Sequence, residues 1–414
     1  MIDLLIKNAL FRGQSVDVAI SKGLFTAIHP AGEHAYEARQ TIDASNKLLR
    51  APFYNTHTHH AMTLLRGIDD HCALMDWLQR VIWPREAKLT PDAVYAGTRL
   101  AILESIKSGC VGFNDMYFHQ PQILRAAQEM GVRAQVGLMY MNQVSHHIEN
   151  EATLALRESL PPTLRLSIAP HALYTTTRKQ LEALATFAQE QQLPIHTHAA
   201  ETLTECAIAK NEFHAESPIR YLDACGLLSE TTVLAHCCHL DDVDRNILAQ
   251  RGCFIAHCPH SNLKLASGTF DFVKAHAAGI KVTIGTDGAA SNNSLSMIAE
   301  TKTAALLAKA TAGQPNALPL EVIDHAVTDV AAAALGFPNA GKIEVGAEAD
   351  LLLIDLKAPT FVGPGNPDAN FLYAGDSSVV DTVICAGRIL MLHQHVDGEE
   401  EILASARAAA RQLQ

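Results

Sequence analysis

Two histidines separated by one residue are the first feature of the sequence that could do chemistry. His57 and His59 follow an apolar run from Leu48 to Tyr54. In an extended strand, residues two apart project from the same face, so this pair can present two imidazoles side by side at a strand end. Neutral imidazole is the commonest metal ligand among protein side chains. In a chain with 21 histidines the pair alone is a weak signal, and it predicts a metal site only if other strand ends supply further ligands.

Three more strand-like stretches end in polar side chains of the required kinds. The first runs Pro194-Ile-His-Thr-His198 and is followed by Glu201, the second ends at His236, and the third ends at Asp287. In a barrel the carboxyl ends of the strands meet at one face, so these groups should converge on the first histidine pair. A set of three imidazoles and one carboxylate taken from these groups suits Zn²⁺, and Fe²⁺ or Mn²⁺ also fit.

The predicted site holds a single divalent ion and activates water. No lysine stands near Asp115 or Arg133 to carry a carbamate that would bridge a second metal. Zinc lowers the pKa of a bound water to about 7, so hydroxide is available at neutral pH. Asp287 can accept a hydrogen bond from that water and take its proton. Glu201, three residues after the ligand His198, is placed to move protons as a general acid and base.

The elements that must position these groups follow an alternating pattern of helix and strand. Thr90-Pro91-Asp92 combines a capping hydroxyl, proline at the first helical position and an acid, which predicts a helix start. Glycine follows candidate helices at Gly109, Gly131, Gly252 and Gly279. Repeated αβ units predict an α/β fold with a parallel sheet, and eight strands favour a closed (β/α)8 TIM-type barrel over an open doubly wound sheet. No GxGxxG follows any strand, which disfavours a dinucleotide site. The candidate strands lie near residues 50–57, 110–116, 133–139, 164–170, 193–198, 231–236, 253–257 and 281–286.

Strand-like patterns at both ends of the chain predict a second body. Asp3–Ile6 and Val16–Ile20 near the start, and Asp350–Asp355 and Val379–Met391 near the end, are all β-like. We therefore expect residues 1–50 and 340–414 to form a small β-sandwich domain, with a helix from Glu399 to the end. Residues 51–339 form the metal-dependent barrel domain in this prediction.

Composition and charge exclude several classes of function. A hydrophobic content of 48% and a charged content of 18% are typical of a globular protein. The net charge of −12 and the absence of a basic block argue against nucleic acid as a partner. Nine cysteines without a CxxC pair suggest reduced, mostly buried thiols in a cytoplasmic protein. Neither a signal peptide nor a membrane span is predicted. We expect a small-molecule substrate and no membrane partner, and association into a homo-oligomer is left open.

One long connection carries both tryptophans. Between His60 and Leu89 the pattern reads as a loop of about thirty residues that contains Trp77 and Trp83. Loops of this length in compact domains are usually lids or binding loops. The alternative is a short helix that packs its tryptophan against the barrel rim.

These residues resemble a known family. His57-Thr-His59, His198, His236 and Thr286-Asp287 are similar to the metal site of the amidohydrolase superfamily. The stretches Asn55–His59, Met62–Gly67, Ser261–Lys264 and Gly285–Asn292 resemble its chlorohydrolase and aminohydrolase branch. More narrowly, the chain is similar to 5′-methylthioadenosine/S-adenosylhomocysteine deaminases. That similarity is carried by the stretches Trp83–Thr90, Asp115–Phe118, Ala169–His171 and Gly341–Glu344.

The resemblance implies a role for each matching position. His57, His59, His198 and Asp287 match the metal ligands. Glu201 matches the acid and base that protonates the ring nitrogen beside the exocyclic amine, and His236 matches the histidine that orients the nucleophile. Glu86 falls where the family binds ribose hydroxyls, and His171 where it has a substrate-contacting histidine. With Trp83 in the adjoining segment, these two form the expected substrate-binding set. A salt bridge for Glu86 and a core position for His171 are the alternatives.

The chain departs from the family pattern at two places, and the second of them bears on the substrate. The first strand is preceded by Ala51-Pro52 where the family usually has Pro-Gly. Family members that use S-adenosylhomocysteine tend to have arginines after strand 3, whereas Gly137–Glu151 contains no Arg or Lys. A desolvated carboxylate without a cationic partner is costly. The sequence therefore predicts weak use of S-adenosylhomocysteine and better use of methylthioadenosine or adenosine.

Three functional hypotheses follow from the sequence. The first is hydrolytic deamination of a 6-aminopurine nucleoside to the inosine analogue. The second keeps the chemistry but takes a free purine, a pterin or a triazine. The third is a barrel scaffold without catalytic activity, which the complete ligand set disfavours, because such scaffolds typically lose metal ligands.

Overall fold

The structure is a computed structural model that describes residues 1–142 and 147–413. Its strands fall into three groups along the chain. The first group is β1 (Ile2–Phe11), β2 (Gln14–Ser21), β3 (Leu24–Pro30), β4 (Ala38–Asp43) and β5 (Lys47–Arg50). The second group is β6 (Phe53–His59), β7 (Cys110–Asp115), β8 (Arg133–Tyr140), β9 (Leu164–Pro170), β10 (His196–Ala199), β11 (Val233–His236), β12 (Phe254–His257), β13 (Lys281–Ile284) and β14 (Asp287–Gly288). The third group is β15 (Leu351–Asp355), β16 (Val380–Cys385) and β17 (Arg388–Met391).

The middle group forms two parallel sheets, as the repeated αβ pattern predicts. One sheet has the order β14-β6-β7-β8-β9 and the other β10-β11-β12-β13. All eight predicted central strands are present, with ends displaced by at most a few residues. An isolated parallel bridge between Ile168 and Ile195 links the end of one sheet to the start of the other. The α/β class with parallel strands is confirmed.

Both ends of the chain contribute to one mixed sheet. Its order is β17-β16-β15-β5-β1-β2-β3, and β4 pairs with β1. The predicted strands at either end of the sequence thus lie side by side, with β15 antiparallel to β5. The predicted domain boundaries and the sandwich form of this body remain predictions.

Helices separate the central strands, and the first of them that the sequence predicts begins at the expected residue. The longest helix begins after Thr90, whose side-chain oxygen accepts the backbone N–H of Ala93 at 3.2 Å. It ends at Lys107 rather than at Gly109. The helices between residues 91 and 334 are Pro91–Lys107, Gln120–Met130, His147–Ala155, Arg178–Gln191, Leu203–Asn211, Pro218–Ala224, Asp242–Arg251, Pro259–Lys264, Phe272–Ala277, Ala289–Asn292, Met297–Ala312, Leu320–Val327 and Asp329–Ala334. The last two helices are Pro367–Ala374 and Glu399–Gln412, and short 3-10 turns span Arg157–Ser159, Leu173–Thr175, Pro359–Phe361 and Ser377–Val379.

The connection predicted as a loop of about thirty residues is largely helical, so that prediction is wrong. A 3-10 helix spans His60–Leu65, and three helical segments cover Leu74–Asp76, Trp77–Ile82 and Trp83–Glu86. The middle one of the three is a π-helix, a form that occurs frequently at functional sites. Trp77 is buried and Trp83 is half-buried.

A buried ion pair joins the central strands to the terminal sheet. Arg133 on β8 donates through Nε and Nη2 to the two carboxylate oxygens of Asp350, at 2.6 and 2.9 Å. The Tyr54 hydroxyl on β6 donates to the same carboxylate at 2.5 Å. All three side chains are fully buried. Such a bidentate pair fixes the relative orientation of the groups it joins.

Two sequence expectations outside the sheets can also be compared with the structure. All nine cysteines are free thiols, and seven of them are buried. In the described part of the chain, no helix has both the length and the apolar character needed to cross a bilayer.

Candidate active site

A cavity at the carboxyl ends of the central strands gathers the residues singled out in the sequence. Its empty space is about 590 Å³, which includes open solvent at its mouth. Every predicted site residue except His57 lines it; these are His59, Trp83, Glu86, His171, His198, Glu201, His236 and Asp287. His57 lies fully buried beneath the cavity floor.

Four of these side chains form one compact ligand cluster. One potential ligand atom from each of His57, His59, His198 and Asp287 lies within 4.8 Å of the others. Oδ1 of Asp287 is 3.3 Å from Nε2 of His57 and 3.2 Å from Nε2 of His59. Nε2 of His198 is 3.4 Å from Nε2 of His59. Three imidazole nitrogens and a carboxylate oxygen therefore face a common point.

Backbone carbonyls fix the tautomers of two of the histidines. Nδ1 of His59 donates to the carbonyl oxygen of Met116 at 2.6 Å, and Nδ1 of His198 donates to that of His171 at 2.7 Å. Each ring therefore turns the lone pair of its Nε2 toward the cluster. Hydrogen bonds of this kind typically orient metal-ligating histidines.

His57 is held from behind by another histidine. Its Nδ1 lies 2.9 Å from Nε2 of His196, a fully buried ring two residues before His198. Its Nε2 is buried and has no hydrogen-bond partner among the described residues. The backbone of Gly285 approaches so closely that an added Cβ would lie 2.8 Å from the backbone N and O of His57. Only glycine fits there, and the unpartnered nitrogen points to a missing ligand.

Two serines anchor the carboxylate of Asp287. Oδ2 accepts hydrogen bonds from the hydroxyls of Ser261 and Ser291 at 2.6 and 2.9 Å, which leaves Oδ1 for the cluster. Burial raises the pKa of Asp287, but the adjacent His57 and His59 side chains outweigh it and hold the pKa well below its usual range. The backbone of Asp287 has φ of 59°, a left-handed conformation that costs free energy in a non-glycine residue and is found often at active sites.

Glu201 and His236 form a second pair beside the cluster. Oε2 of Glu201 lies 3.8 Å from Nε2 of His236, and its Oε1 accepts the Ser267 hydroxyl at 3.0 Å. Asn262 donates through Nδ2 to Nδ1 of His236 at 2.9 Å, which places the His236 proton on Nε2, toward the cavity. Burial raises the pKa of Glu201. The pair therefore combines a carboxyl group that takes up protons readily with a fixed N–H donor.

A further buried carboxylate, Glu205, supports Glu201. Its two oxygens accept the backbone N–H groups of Ala200 and Glu201 at 3.0 and 2.8 Å. Glu205 is only 1% exposed, and burial raises its pKa to about 7. It lies in the first turn of the helix Leu203–Asn211 and ties that helix to the residues that follow β10.

Glu86, Trp83 and His171 surround the outer part of the cavity. Burial raises the pKa of Glu86 to about 6, and the neighbouring Tyr117 side chain partly offsets this. Nδ1 of His171 lies 3.0 Å from the Thr175 hydroxyl. Burial lowers the pKa of His171 to about 3, so its ring is neutral. These positions suit contacts with a neutral, polar ligand.

The side of the cavity near Trp83 is rich in methionine. Met116, Met139 and Met141 form a buried cluster with Ala169, and Trp83 packs against it. All three methionines line the cavity. Methionine adapts its shape to an apolar group and makes favourable contacts with aromatic rings. Part of the stretch 137–151 that the sequence analysis marked for its lack of cations, residues 143–146, lies outside the described residues.

Sequence reasoning missed several residues that contact the predicted set. Glu205 stands four residues after Glu201, a spacing that also suits two solvent-exposed acids on a helix. His196 belongs to the same histidine-rich strand as His198. Ser261 and Asn262 fall inside a recognised motif, which was the available signal, although no role had been assigned to them.

Comparisons with known proteins agree with this geometry. A model of the amidohydrolase family matches residues 51–390. The chain is 42% identical to a 5′-deoxyadenosine deaminase of Methanospirillum hungatei, over 92% of this chain and 87% of that protein. It is 38% identical to a 5-methylthioadenosine/S-adenosylhomocysteine deaminase of Desulforudis audaxviator, over 99% of both chains. Among solved structures, an adenosine deaminase from Xanthomonas campestris with bound zinc superimposes with a TM-score of 0.94 at 32% identity. That match covers 100% of this chain and 98% of the other.

Proposed function

The chain belongs to the amidohydrolase family, and we propose that it is a metal-dependent hydrolytic deaminase of an adenosine-type nucleoside. The reaction removes the 6-amino group and yields the inosine analogue and ammonia. One observation carries the proposal: a single cavity is lined by three members of the ligand cluster, the Glu201–His236 pair and Glu86, and the fourth ligand, His57, lies buried beside the other three. The named relatives, which are deaminases of adenosine-type nucleosides, support the same reaction.

The ligand cluster fits one divalent metal ion, and we infer zinc. His57, His59, His198 and Asp287 would hold it, and the unpartnered Nε2 of His57 supports this assignment. When bound, such an ion makes water available as a nucleophile near neutral pH. Among the described residues lining the cavity there is no lysine, which favours one ion over a carbamate-bridged pair. The zinc bound to the Xanthomonas campestris adenosine deaminase supports the choice of metal.

Glu201 is the proposed proton carrier. Attack of water on the amine-bearing ring carbon forms a C–O bond, and the ring nitrogen beside that carbon must gain a proton. The raised pKa of Glu201 suits a group that gives this proton and accepts one from the attacking water. The second proton of the water, accepted by Asp287, then passes to the amine, the C–N bond breaks, and ammonia leaves. His236 orients the nucleophile through its Nε2 proton, and Asp287 accepts a proton from the attacking water.

Glu86 is the proposed ribose-binding residue. A carboxylate can accept hydrogen bonds from two vicinal hydroxyls, and Glu86 lies on the same cavity wall as Trp83. We infer that Trp83 packs against the substrate and that neutral His171 contacts it. Together they would select a nucleoside over a free base.

The methionine cluster favours an uncharged 5′ group. Met116, Met139 and Met141 present apolar surface to the cavity, which suits a methylthio or a 5′-deoxy carbon. A homocysteine chain would bring a carboxylate beside Met139 and Met141, and the sequence from 137 to 151 contains no Arg or Lys. We therefore propose that S-adenosylhomocysteine is a poor substrate. The relative named a 5′-deoxyadenosine deaminase supports an apolar 5′ end.

We further infer that the two parallel sheets close into one (β/α)8 barrel. The Ile168–Ile195 bridge joins one pair of sheet ends. At the other, β14 pairs with β6 through Asp287 and Thr58, and only two residues separate β14 from β13. The barrel would span residues 51–339, beside a domain made of 1–50 and 340–414.

A screen for ammonia release tests the proposed function directly. The zinc-loaded protein is assayed with methylthioadenosine, 5′-deoxyadenosine, adenosine, S-adenosylhomocysteine, adenine, a pterin and an aminotriazine. We expect the first two to give the highest kcat/KM and S-adenosylhomocysteine to fall at least ~10-fold below them, the cost of about 1.4 kcal/mol in binding. Comparable values for S-adenosylhomocysteine and methylthioadenosine would overturn the 5′ specificity. Turnover confined to a free base, pterin or triazine would overturn the nucleoside assignment.

A further inference from the structure

A second cluster of metal-ligating side chains lies on the terminal sheet. His29, Glu33 and His34 each offer one ligand atom, and these atoms lie within 4.8 Å of one another. Ligands bound to zinc at about 2.0–2.1 Å lie ~3.4 Å apart in a tetrahedron. Side-chain rotations that move the ligand atoms by on the order of 1 Å would therefore bring the three atoms around one ion. His29 belongs to β3, the edge strand of the sheet, whereas the cavity ligands belong to the central strands.

The turn that carries these side chains is held by its own hydrogen bonds. Gly32 donates its backbone N–H to Oδ2 of the buried Asp17 at 3.0 Å, and Ala31 donates to the carbonyl oxygen of Ser15 at 3.0 Å. Gly32 has φ of 78°, which reverses the chain between the two histidines. Because the backbone is already fixed, an ion would have to order little more than the side chains.

The three side chains are free to bind. Within the described part of the chain, none has a hydrogen bond or an ion pair with another residue. The rings of His29 and His34 meet edge to face with centroids 4.3 Å apart, and Tyr36 lies parallel to the His29 ring at 6.5 Å. Glu33 and His34 are exposed and His29 is half-buried, so an ion can reach them from solvent.

We propose that His29, Glu33 and His34 form a second transition-metal site that binds Zn²⁺. Two imidazoles and a carboxylate are borderline ligands that suit zinc, and Cu²⁺ would bind the same set more tightly. The ion would hold the turn after β3 closed against the strand. Since this site is exposed and has three protein ligands, it releases its ion to chelators before the four-ligand cluster in the cavity does.

Metal counting on the zinc-loaded protein tests this assignment. The full chain is dialysed against zinc buffered at micromolar free concentration, and zinc per chain is measured by mass spectrometry. The variant His29→Ala/His34→Ala is compared with His214→Ala/His276→Ala, which removes two exposed histidines that are not clustered. A fluorescent zinc indicator then follows release into a weak chelator.

Wild type and the His214/His276 variant should each hold two ions, one of which leaves early. The His29/His34 variant should hold one ion and lack the early release, with the same circular dichroism spectrum and deaminase activity as wild type. Glu33→Gln, which leaves both histidines in place, should weaken the early-leaving site without abolishing it. One ion in wild type, or two in the His29/His34 variant, would overturn the proposal.

Discussion

Glu205 accepts the backbone N–H of Glu201 at 2.8 Å with one oxygen of its carboxylate, and that of the preceding Ala200 at 3.0 Å with the other. A fully buried acid thus holds the segment that carries the proposed proton carrier. A carboxylate can satisfy both donors, because it has only acceptor sites when ionised. We infer that Glu205 is a positioning residue that sets where the Glu201 side chain enters the cavity.

Replacing Glu205 by glutamine should slow turnover. The amide has one acceptor oxygen, so one backbone N–H would face an NH₂ group, and losing a hydrogen bond to a charged group costs about 1.5–3 kcal/mol. If this free-energy cost raises the transition state relative to the bound substrate, kcat falls by about 10–100-fold with little change in KM. Steady-state kinetics measures the fall in kcat, and parallel metal analysis shows whether the variant keeps its metal. Glu212→Gln, at the exposed end of the same helix, is the matched control. An unchanged kcat in Glu205→Gln would contradict the positioning role.

The same substitution should change how stability depends on pH. Burial raises the pKa of Glu205 from 4.5 to about 7, so the folded state binds the proton more tightly than the unfolded state. The stability contributed by the protonated form is present below pH 4.5 and is lost as the pH rises through 7. Across this window wild type should lose about 3 kcal/mol relative to Glu205→Gln. Urea unfolding of both proteins at several pH values measures the difference, and parallel curves would exclude the raised pKa.

Ser261 should contribute to metal affinity without touching the ion. Its hydroxyl donates to Oδ2 of Asp287 at 2.6 Å and so keeps Oδ1 turned toward the histidines. Loss of such a supporting hydrogen bond typically lowers metal affinity by about 10–100-fold. Competition with a chelator should show this loss of metal affinity in Ser261→Ala. Ser159 is an exposed serine away from the cavity, so Ser159→Ala should bind metal as tightly as wild type. Equal affinity in both variants would show that Ser291 alone orients the carboxylate.

Glu86 should decide whether ribose is recognised. In Glu86→Ala we expect KM for methylthioadenosine to rise by about 10–100-fold, since a hydrogen bond to a charged group is worth about 1.5–3 kcal/mol. Metal content should stay unchanged. Progress curves over a range of nucleoside concentrations give the value, and Glu104→Gln, a carboxylate that pairs with Arg66, serves as a control outside the cavity. A KM that does not move would favour a substrate without ribose.

The sequence predicted the parts of the site that depend on strand ends. Because parallel strands bring their carboxyl ends to one face, His57, His198, His236 and Asp287 could be placed together from their positions alone. The role of Glu205 could not be predicted. Its burial depends on how the helix Leu203–Asn211 packs, and an acid at a helix start usually faces solvent.

The conformation of the segment between His60 and Leu89 could not be predicted from the sequence. Its helices are short and include a π-helical turn, so no stretch is long enough to display a helical period. The sequence nevertheless indicated that Trp83 and Glu86 would line the site, because both belong to a motif recognised from the family. The contact of Trp83 with the methionine cluster arises from packing between segments that are far apart in the chain, which spacing does not reveal.

The most direct test of the account is the turnover of Glu201→Gln in its zinc-loaded form. Glutamine keeps the size of the side chain but cannot carry the proton. Deamination of methylthioadenosine should fall by about 10²–10⁴-fold in kcat, while zinc in the cavity site stays at one ion per chain. A variant that retains its zinc and deaminates within about tenfold of the wild-type rate would contradict the central claim that Glu201 carries the proton in a metal-dependent deaminase.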